Sequence, residues 1–134
     1  MPTPQSDVVE IRDSADVVRV RQSVRTLAAS LGFSLIDQTK VVTAASELAR
    51  NTLEHGGGGT ARLEPLAQGL KKGIRLTFED AGPGITDIKL ALTDGYTTGG
   101  GMGLGLSGSK RLVNEFDIAT KVGEGTRVTI TKWK

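Results

Sequence analysis

The chain has 134 residues, a length that accommodates one hydrophobic core of ordinary size without the help of a disulfide or a metal. It contains no cysteine and one histidine, which excludes a disulfide scaffold, a thiolate zinc site, a cysteine nucleophile and any site that requires two imidazoles. The net charge of +2 is too small to define a nucleic-acid surface, and no apolar run approaches the roughly 20 residues that span a bilayer. Because the first ten residues carry neither a basic leader nor an apolar stretch, we expect one cytoplasmic domain over residues 1–134, with no membrane or nucleic-acid partner.

Hydrophobic periodicity and turn residues predict the elements of the chain in order. The first half is expected to form a strand over Val8–Arg12, a helix from the N-cap Ser14 to about Leu31 that Gly32 ends, and a helix from Ser34 or Asp37 to His55 with Gly56 at the C′ position. The second half is expected to form strands over Ala61–Leu66 and Ile74–Glu79, a turn over Asp80–Gly84, helices over Asp87–Leu92 and Leu104–Asn114, and a hairpin of Ile118–Val122 with Arg127–Lys132. This order predicts an α+β two-layer sandwich, in which helices cover one face of a mostly antiparallel mixed sheet.

A polar stripe runs along the second predicted helix. Glu47, Asn51 and His55 are spaced four residues apart and border a wide apolar arc, so they should lie at the rim of the buried layer. The stripe is consistent with an ordinary solvated helix edge. It is equally consistent with a site wall, where an amide oxygen binds a hard cation and a carboxylate takes part in proton transfer. Spacing alone leaves both interpretations open.

The turn Asp80–Gly84 directly follows a predicted strand. A carboxylate at the strand's end can accept a hydrogen bond from a ligand amino group, and two glycines let the backbone approach a flat ligand closely. A Pro-Gly reverse turn with a capping aspartate would use the same residues, so this pattern also has two interpretations.

Seven glycines lie between Gly95 and Gly108, more than a simple turn requires. Residues 103–108 match GxGxxG, but no hydrophobic strand precedes them, which argues against a dinucleotide fold, and the Walker A pattern is absent. The segment opens a predicted helix, where backbone N–H groups suit phosphate oxygens. Gly125 and Thr126 are most simply interpreted as residues of a structural turn. Lys110 and Arg111 are most simply interpreted as part of a solvated, positively charged helix face.

In combination these segments are more specific than any one of them. The order of four motifs resembles that of the GHKL ATPase superfamily, whose fold is called the Bergerat fold. The motifs are SELARN on a helix, EDAGPGI after a strand, GMGLG at the start of a helix and GEGT in a final hairpin. Within that superfamily the chain resembles the small serine/threonine kinases related to anti-sigma factors, and in particular the switch kinases of bacterial stressosomes. The resemblance covers nearly the whole chain.

The resemblance implies a role for each matching residue. Asn51 would bind Mg²⁺ through its side-chain oxygen, and Glu47 would act as the general base. Asp80 would accept a hydrogen bond from the adenine amino group with support from Thr126, while the backbone of Gly82 and Gly84 would line the base and His55 would support the pocket wall. The ATP phosphates would be bound by Gly101, Gly103 and Gly105, and residues 93–103 would form a lid. The cofactors implied are ATP and Mg²⁺.

The resemblance also implies protein partners. Stressosome switch kinases phosphorylate serine and threonine residues of STAS-domain proteins and are then released to activate a PP2C-type phosphatase. An anti-sigma relative would bind a sigma factor instead, and a nucleotide-gated module that sequesters a partner is a further alternative. The phospho-accepting domain of sensor kinases has no counterpart in the chain, so we do not expect histidine kinase activity.

Overall fold

The computed structural model describes residues 6–82, 97–98, 102–103 and 106–134, with side chains for 6–82 and 108–134. Its elements are β1 (Asp7–Ile11), α1 (Ser14–Ser30), α2 (Leu35–Glu54), β2 (Gly59–Gln68), β3 (Lys71–Asp80), β4 (Thr97–Thr98), β5 (Met102–Gly103), α3 (Leu106–Leu112), β6 (Glu115–Lys121) and β7 (Gly125–Trp133). The helix predicted over Asp87–Leu92 lies outside the described residues. No helix in the described part of the chain is long and apolar enough to cross a bilayer.

Five strands form one sheet in the order β1-β2-β3-β7-β6, and β4 pairs with β5 in a separate short ribbon. All the described pairings are antiparallel. Sheet and helices confirm the predicted α+β sandwich, and the strands that could be compared lie where alternation placed them, with bounds longer by one to three residues at most ends. No parallel pair occurs among the described strands. In this part of the chain the sheet is therefore purely antiparallel, whereas a mostly antiparallel mixed sheet was predicted.

The core lies between one face of the sheet and helices α1 and α2. On β3 the side chains of Ile74, Leu76 and Phe78 are buried, whereas the intervening residues point to the other face and are polar. On α2 three of the seven buried residues are alanines, which let the helix axis come close to the sheet; the buried residues are Val41, Val42, Ala44, Ala45, Leu48, Ala49 and Thr52. Burying each large side chain contributes about 1.5–3 kcal/mol, so this face sets the orientation of α2 on the sheet.

The helix termini refine the predicted caps. The N-cap of α1 is Asp13, whose side chain accepts a hydrogen bond from the Asp16 backbone N–H, so the prediction of Ser14 as the cap is wrong by one residue. Ser34 is the N-cap of α2 and accepts from the Asp37 N–H at 3.1 Å, which decides between the two predicted starts. Gly32 follows the last turn of α1 with φ +83°, as expected for a helix-ending glycine.

This cap assignment is testable with two adjacent substitutions. Asp13→Ala should lower the free energy of unfolding by about 1 kcal/mol, because it removes the side-chain acceptor of the Asp16 N–H and leaves that N–H only the Asp13 backbone carbonyl. Ser14→Ala is the matched control and should change stability by less than about 0.5 kcal/mol, because Ser14 is exposed and lies inside the first turn. Urea unfolding measures both. A larger loss for Ser14→Ala than for Asp13→Ala would contradict the assignment.

Candidate functional site

The last turn of α2 lies beside the end of β3. The Asn51 carbonyl accepts from the backbone N–H groups of His55 and Gly56, at 2.9 and 3.2 Å, and these bonds close the helix. Gly56 is then so close to Asp80 that a Cβ at position 56 would overlap the Asp80 carboxyl group. The turn that carries Asn51 and the strand end that carries Asp80 are therefore neighbours in space.

Gly56 follows the helix cap His55, as predicted, but it does not have the left-handed backbone usual at that position. The positive φ angles fall on the next two residues, Gly57 at +75° and Gly58 at +110°. Position 56 requires glycine because there is no room for a side chain. A hydrogen atom there leaves the room that the Asp80 carboxyl group occupies.

Asp80 is the last residue of β3 and has the same parity as the buried residues of that strand, so it points towards the helices. One carboxylate oxygen, Oδ1, accepts the Gly82 N–H at 2.9 Å, and a Cβ on Gly82 would lie 2.7 Å from Gly56 Cα. Within the described part of the chain, Oδ2 has no hydrogen bond. The turn interpretation of Asp80 therefore accounts for one oxygen, and the second can accept from a ligand.

The start of β7 encloses Asp80 from the other side. Thr126 is the antiparallel partner of Asp80 in the sheet. Gly125 has φ +114°, and a Cβ there would overlap the Asp80 carbonyl oxygen. The sequence interpretation of Gly125 as turn chemistry missed this contact. The residue pattern alone did not identify Asp80 as the neighbour of this glycine; only the resemblance, which assigned Thr126 to support Asp80, placed this hairpin near Asp80.

Glu47 and Asn51 lie one helical turn apart at the half-buried border of α2, as the stripe predicted. The Glu47 side chain is 39% exposed, and its Oε1 is 3.7 Å from Arg50 Nη1, too far for a hydrogen bond. Such an exposed ion pair contributes little to the stability of the fold, so the Glu47 carboxylate is available to another partner.

The amide nitrogen Nδ2 of Asn51 is buried and makes no hydrogen bond with any residue that the structure describes. An unpaired buried amide costs about 1–3 kcal/mol, so we expect this N–H donor to meet an acceptor outside the described residues, either in the rest of the chain or in a ligand.

The side-chain oxygens of Asn51 and Glu47 suit a metal ion most of whose ligands come from a bound molecule and from water. No group of three His, Cys, Asp or Glu side chains that could hold a metal occurs in the described residues. Mg²⁺ is usually bound through one or two protein oxygens, with phosphates and water completing its octahedron. One asparagine amide with a carboxylate a turn away fits Mg²⁺ carried by a nucleotide and does not fit a metal held by protein alone.

The glycine-rich segment is described in part. Gly103 pairs with Thr97 in the β4–β5 ribbon, whereas Gly84, Gly101 and Gly105 lie outside the described residues, as does most of the predicted lid. The following helix, α3, is described from Leu106 to Leu112, and its predicted start at Leu104 lies outside the described residues.

Comparisons with known proteins place the chain in a family. Residues 36–134 match the family described as histidine kinase-, DNA gyrase B- and HSP90-like ATPases. The chain is 45% identical to the serine/threonine-protein kinase RsbT of Bacillus subtilis, over 93% of this chain and 94% of that one. It is 29% identical to an anti-sigma F factor of Clostridium novyi, over 84% of this chain and 82% of that one.

A solved structure is also similar. The crystal structure of the RsbU and RsbW domains of a Mycobacterium tuberculosis protein matches 99% of this chain with a TM-score of 0.69, at 22% identity, and this chain spans 34% of that one. That likeness supports the fold. The chain belongs to the histidine kinase-, DNA gyrase B- and HSP90-like ATPases and, within them, to the protein serine/threonine kinases.

The close contact at Gly56 gives a stability prediction. Gly56→Ala should lower the free energy of unfolding by about 1–3 kcal/mol, because the added methyl group forces the Asp80 carboxyl group or the end of α2 to move. Gly108→Ala is the matched control. A Cβ at that helical position meets no atom of the described residues within 4 Å, so the substitution should raise stability by up to about 1 kcal/mol. Chemical unfolding of both variants checks this, and a Gly56→Ala variant as stable as the parent would refute the contact.

Proposed function

We propose that this protein transfers the γ-phosphoryl group of Mg²⁺-ATP to a serine or threonine of a STAS-domain protein and then binds and activates a PP2C-type phosphatase. The observation that carries the proposal is the juxtaposition at one end of the sheet. There Asp80 Oδ2, which accepts no hydrogen bond from the described residues, lies beside the helix turn that bears Asn51, whose buried Nδ2 has no partner among those residues. The identity with a serine/threonine kinase over nearly the whole chain supports the reaction class.

Asp80 would recognise the base. Its Oδ2 can accept a hydrogen bond from the adenine amino group, whereas guanine presents a carbonyl oxygen there and two facing acceptors repel. Gly82 and Gly84 would line the base, because a backbone without side chains lets a flat ring approach closely. Thr126, opposite Asp80 in the sheet, would support this contact.

Asn51 would hold Mg²⁺ through its amide oxygen, and the glycines at 101, 103 and 105 would bind the phosphates through backbone N–H groups. The ion, when bound, neutralises charge on the phosphates. Glu47 would orient the acceptor hydroxyl and accept its proton. Since phosphoryl transfer is largely dissociative, positioning and charge neutralisation should supply most of the rate, with the base a smaller contribution.

A partner-sequestering module of the anti-sigma type is the competing function, and the similarity to an anti-sigma F factor favours it. The half-buried Glu47 distinguishes the two proposals, because a protein that only sequesters its partner does not need a base one turn from the metal-binding amide.

A transfer assay with a purified STAS-domain protein and γ-labelled ATP tests the proposal. The parent protein should label the STAS protein on serine or threonine. Glu47→Gln should lower the transfer rate by about 10²-fold while the ATP dissociation constant stays within about twofold, because the carboxylate acts on the acceptor and not on the nucleotide. Glu54→Gln is the matched control, since Glu54 is exposed on the same helix, and it should transfer at the parent rate.

The contrary outcomes separate the two functions. An unlabelled STAS protein, together with intact ATP binding, would remove the kinase proposal and favour sequestration. Full transfer by Glu47→Gln would leave the kinase in place and show that Glu47 belongs to a solvated helix edge.

A further inference from the structure

Two buried side-chain atoms have no hydrogen-bond partner within the described part of the chain. They are the amide nitrogen Nδ2 of Asn51, on α2, and the hydroxyl Oγ of Ser109, on α3. Buried polar groups are nearly always paired, because an unpaired one gives up its hydrogen bonds to water and gains none in return. Asn51 has a predicted role in the site, whereas Ser109 has none.

Ser109 lies in the interface between α3 and α2. The described element with which α3 has most contact is α2. Among the described side chains of α3 only that of Ser109 is fully buried, whereas Lys110 and Arg111 are exposed. The Ser109 hydroxyl is therefore enclosed between the two helices.

Asn51 lies on the edge of α2 that faces the same side of the sheet. Asp37 and Asn51 are 14 residues apart, close to four full turns, so they share one edge of the helix. Asp37 Oδ1 is 3.6 Å from Lys132 Nζ of β7, which turns that edge towards β7. In the chain α3 is followed by β6, the neighbour of β7 in the sheet, whereas α1 packs on α2 from the side of β1. The edge that carries Asn51 and the buried side of α3 therefore face each other.

The two side chains also lie at a similar depth below the nucleotide end of the sheet. Asn51 is about 7 Å of helix away from the contact with Asp80 at that end. Asn114 donates its backbone N–H to the Thr131 carbonyl at 2.9 Å, about 17 Å along β7 from the same end. Ser109 precedes Asn114 by five residues, and the helix carries it back towards that end by roughly 7 Å, to about the depth of Asn51.

One water molecule between the two side chains would satisfy both. A buried water is held by two or more polar partners, and it can accept from an amide N–H and share a hydrogen bond with a hydroxyl. We infer that Ser109 is a positioning residue that holds a buried water against the amide nitrogen of Asn51, and so keeps the amide oxygen turned towards Mg²⁺. The inference rests on the proposed function, since the ion is the one that Asn51 would bind.

The water matters because the two ends of an amide have opposite character. The oxygen accepts and can bind a cation, whereas the NH₂ group only donates. Half a turn of the Asn51 amide exchanges the two ends with little change in shape. An acceptor fixed at Nδ2 favours the orientation in which the oxygen is left for the ion. Ser109 acts through the water, and the inference requires no contact between Ser109 and the nucleotide.

Calorimetric titration of the full chain with ATP, once with Mg²⁺ and once with EDTA, tests this role. The parent protein should bind ATP more tightly with Mg²⁺. Ser109→Ala removes the hydroxyl that holds the water, so the affinity for Mg²⁺-ATP should fall roughly threefold to tenfold, the size expected for one hydrogen bond. The affinity measured in EDTA should stay within about twofold of the parent, because binding without the ion does not depend on the orientation of the amide.

Thr52→Val is the matched control. Thr52 is also a buried hydroxyl residue and follows Asn51 on α2, but its Oγ1 already donates to the Leu48 carbonyl at 2.9 Å. Valine keeps the shape of the side chain, so this variant should keep the contribution of Mg²⁺ to ATP affinity.

A second measurement detects the water itself. In the ¹⁵N-labelled parent, the side-chain NH₂ protons of Asn51 should show a nuclear Overhauser effect to a long-lived water. Ser109→Ala should lose this effect.

Three results would overturn the inference. They are an unchanged affinity of Ser109→Ala for Mg²⁺-ATP, an equal loss of affinity with and without the ion, which a merely structural role would cause, and the absence of a water signal at Asn51 in the parent. Failure of the proposed function is distinguishable from all three, because in that case the parent protein would bind no ATP or would bind it equally well without Mg²⁺.

Discussion

The contact between Gly56 and the Asp80 carboxyl group determines how the helical layer meets the sheet at the functional end of the molecule. A side chain at position 56 would occupy the space of that carboxyl group, and one at position 82 would press on Gly56 itself. Gly125 makes a similar approach to the Asp80 backbone from β7. Gly56 and Gly125, which are far apart in the sequence, thus both approach Asp80, one at its carboxyl group and the other at its backbone carbonyl, and each does so without a Cβ.

This arrangement places two different chemistries next to each other. The open oxygen of Asp80 is an acceptor suited to the amino group of a base, and the α2 turn carries an amide and a carboxylate suited to a metal-bound phosphate and an acceptor hydroxyl. In a phosphoryl transfer most of the rate comes from holding the reacting groups in the correct geometry. Under the proposed function, the position of α2 on β3 is therefore a condition for phosphoryl transfer as well as for stability.

Much of the fold could be predicted from local patterns. The alternation of Ile74, Leu76 and Phe78 with polar residues gave the inward face of β3 correctly. The cap of α1 could not be decided locally, because aspartate and serine are both good N-caps and stand side by side at 13 and 14.

The site was predictable to a smaller extent. Spacing placed Glu47 and Asn51 on the border of α2, but only the structure revealed that the Asn51 amide is buried without a partner among the described residues. The contacts of Gly56 and Gly125 with Asp80 were missed because turn chemistry explains the same glycines and their neighbour is distant in sequence. It was the order of the motifs, through the resemblance to a known superfamily, that predicted the function. The role of every predicted site residue remains a prediction, and Gly84, Gly101 and Gly105 also lie outside the described residues.

We propose that nucleotide binds where the end of α2 meets the end of β3. Backbone amide shifts of the ¹⁵N-labelled protein, followed during titration with Mg²⁺-ATP, locate the binding site residue by residue. We expect the largest changes at Gly56, Gly82 and Gly125, a change of the Asn51 side-chain amide that requires Mg²⁺, and no change at Gly69, in the β2–β3 turn at the opposite end of the sheet. Changes centred on Gly69, with Gly56 and Gly82 unmoved, would contradict it.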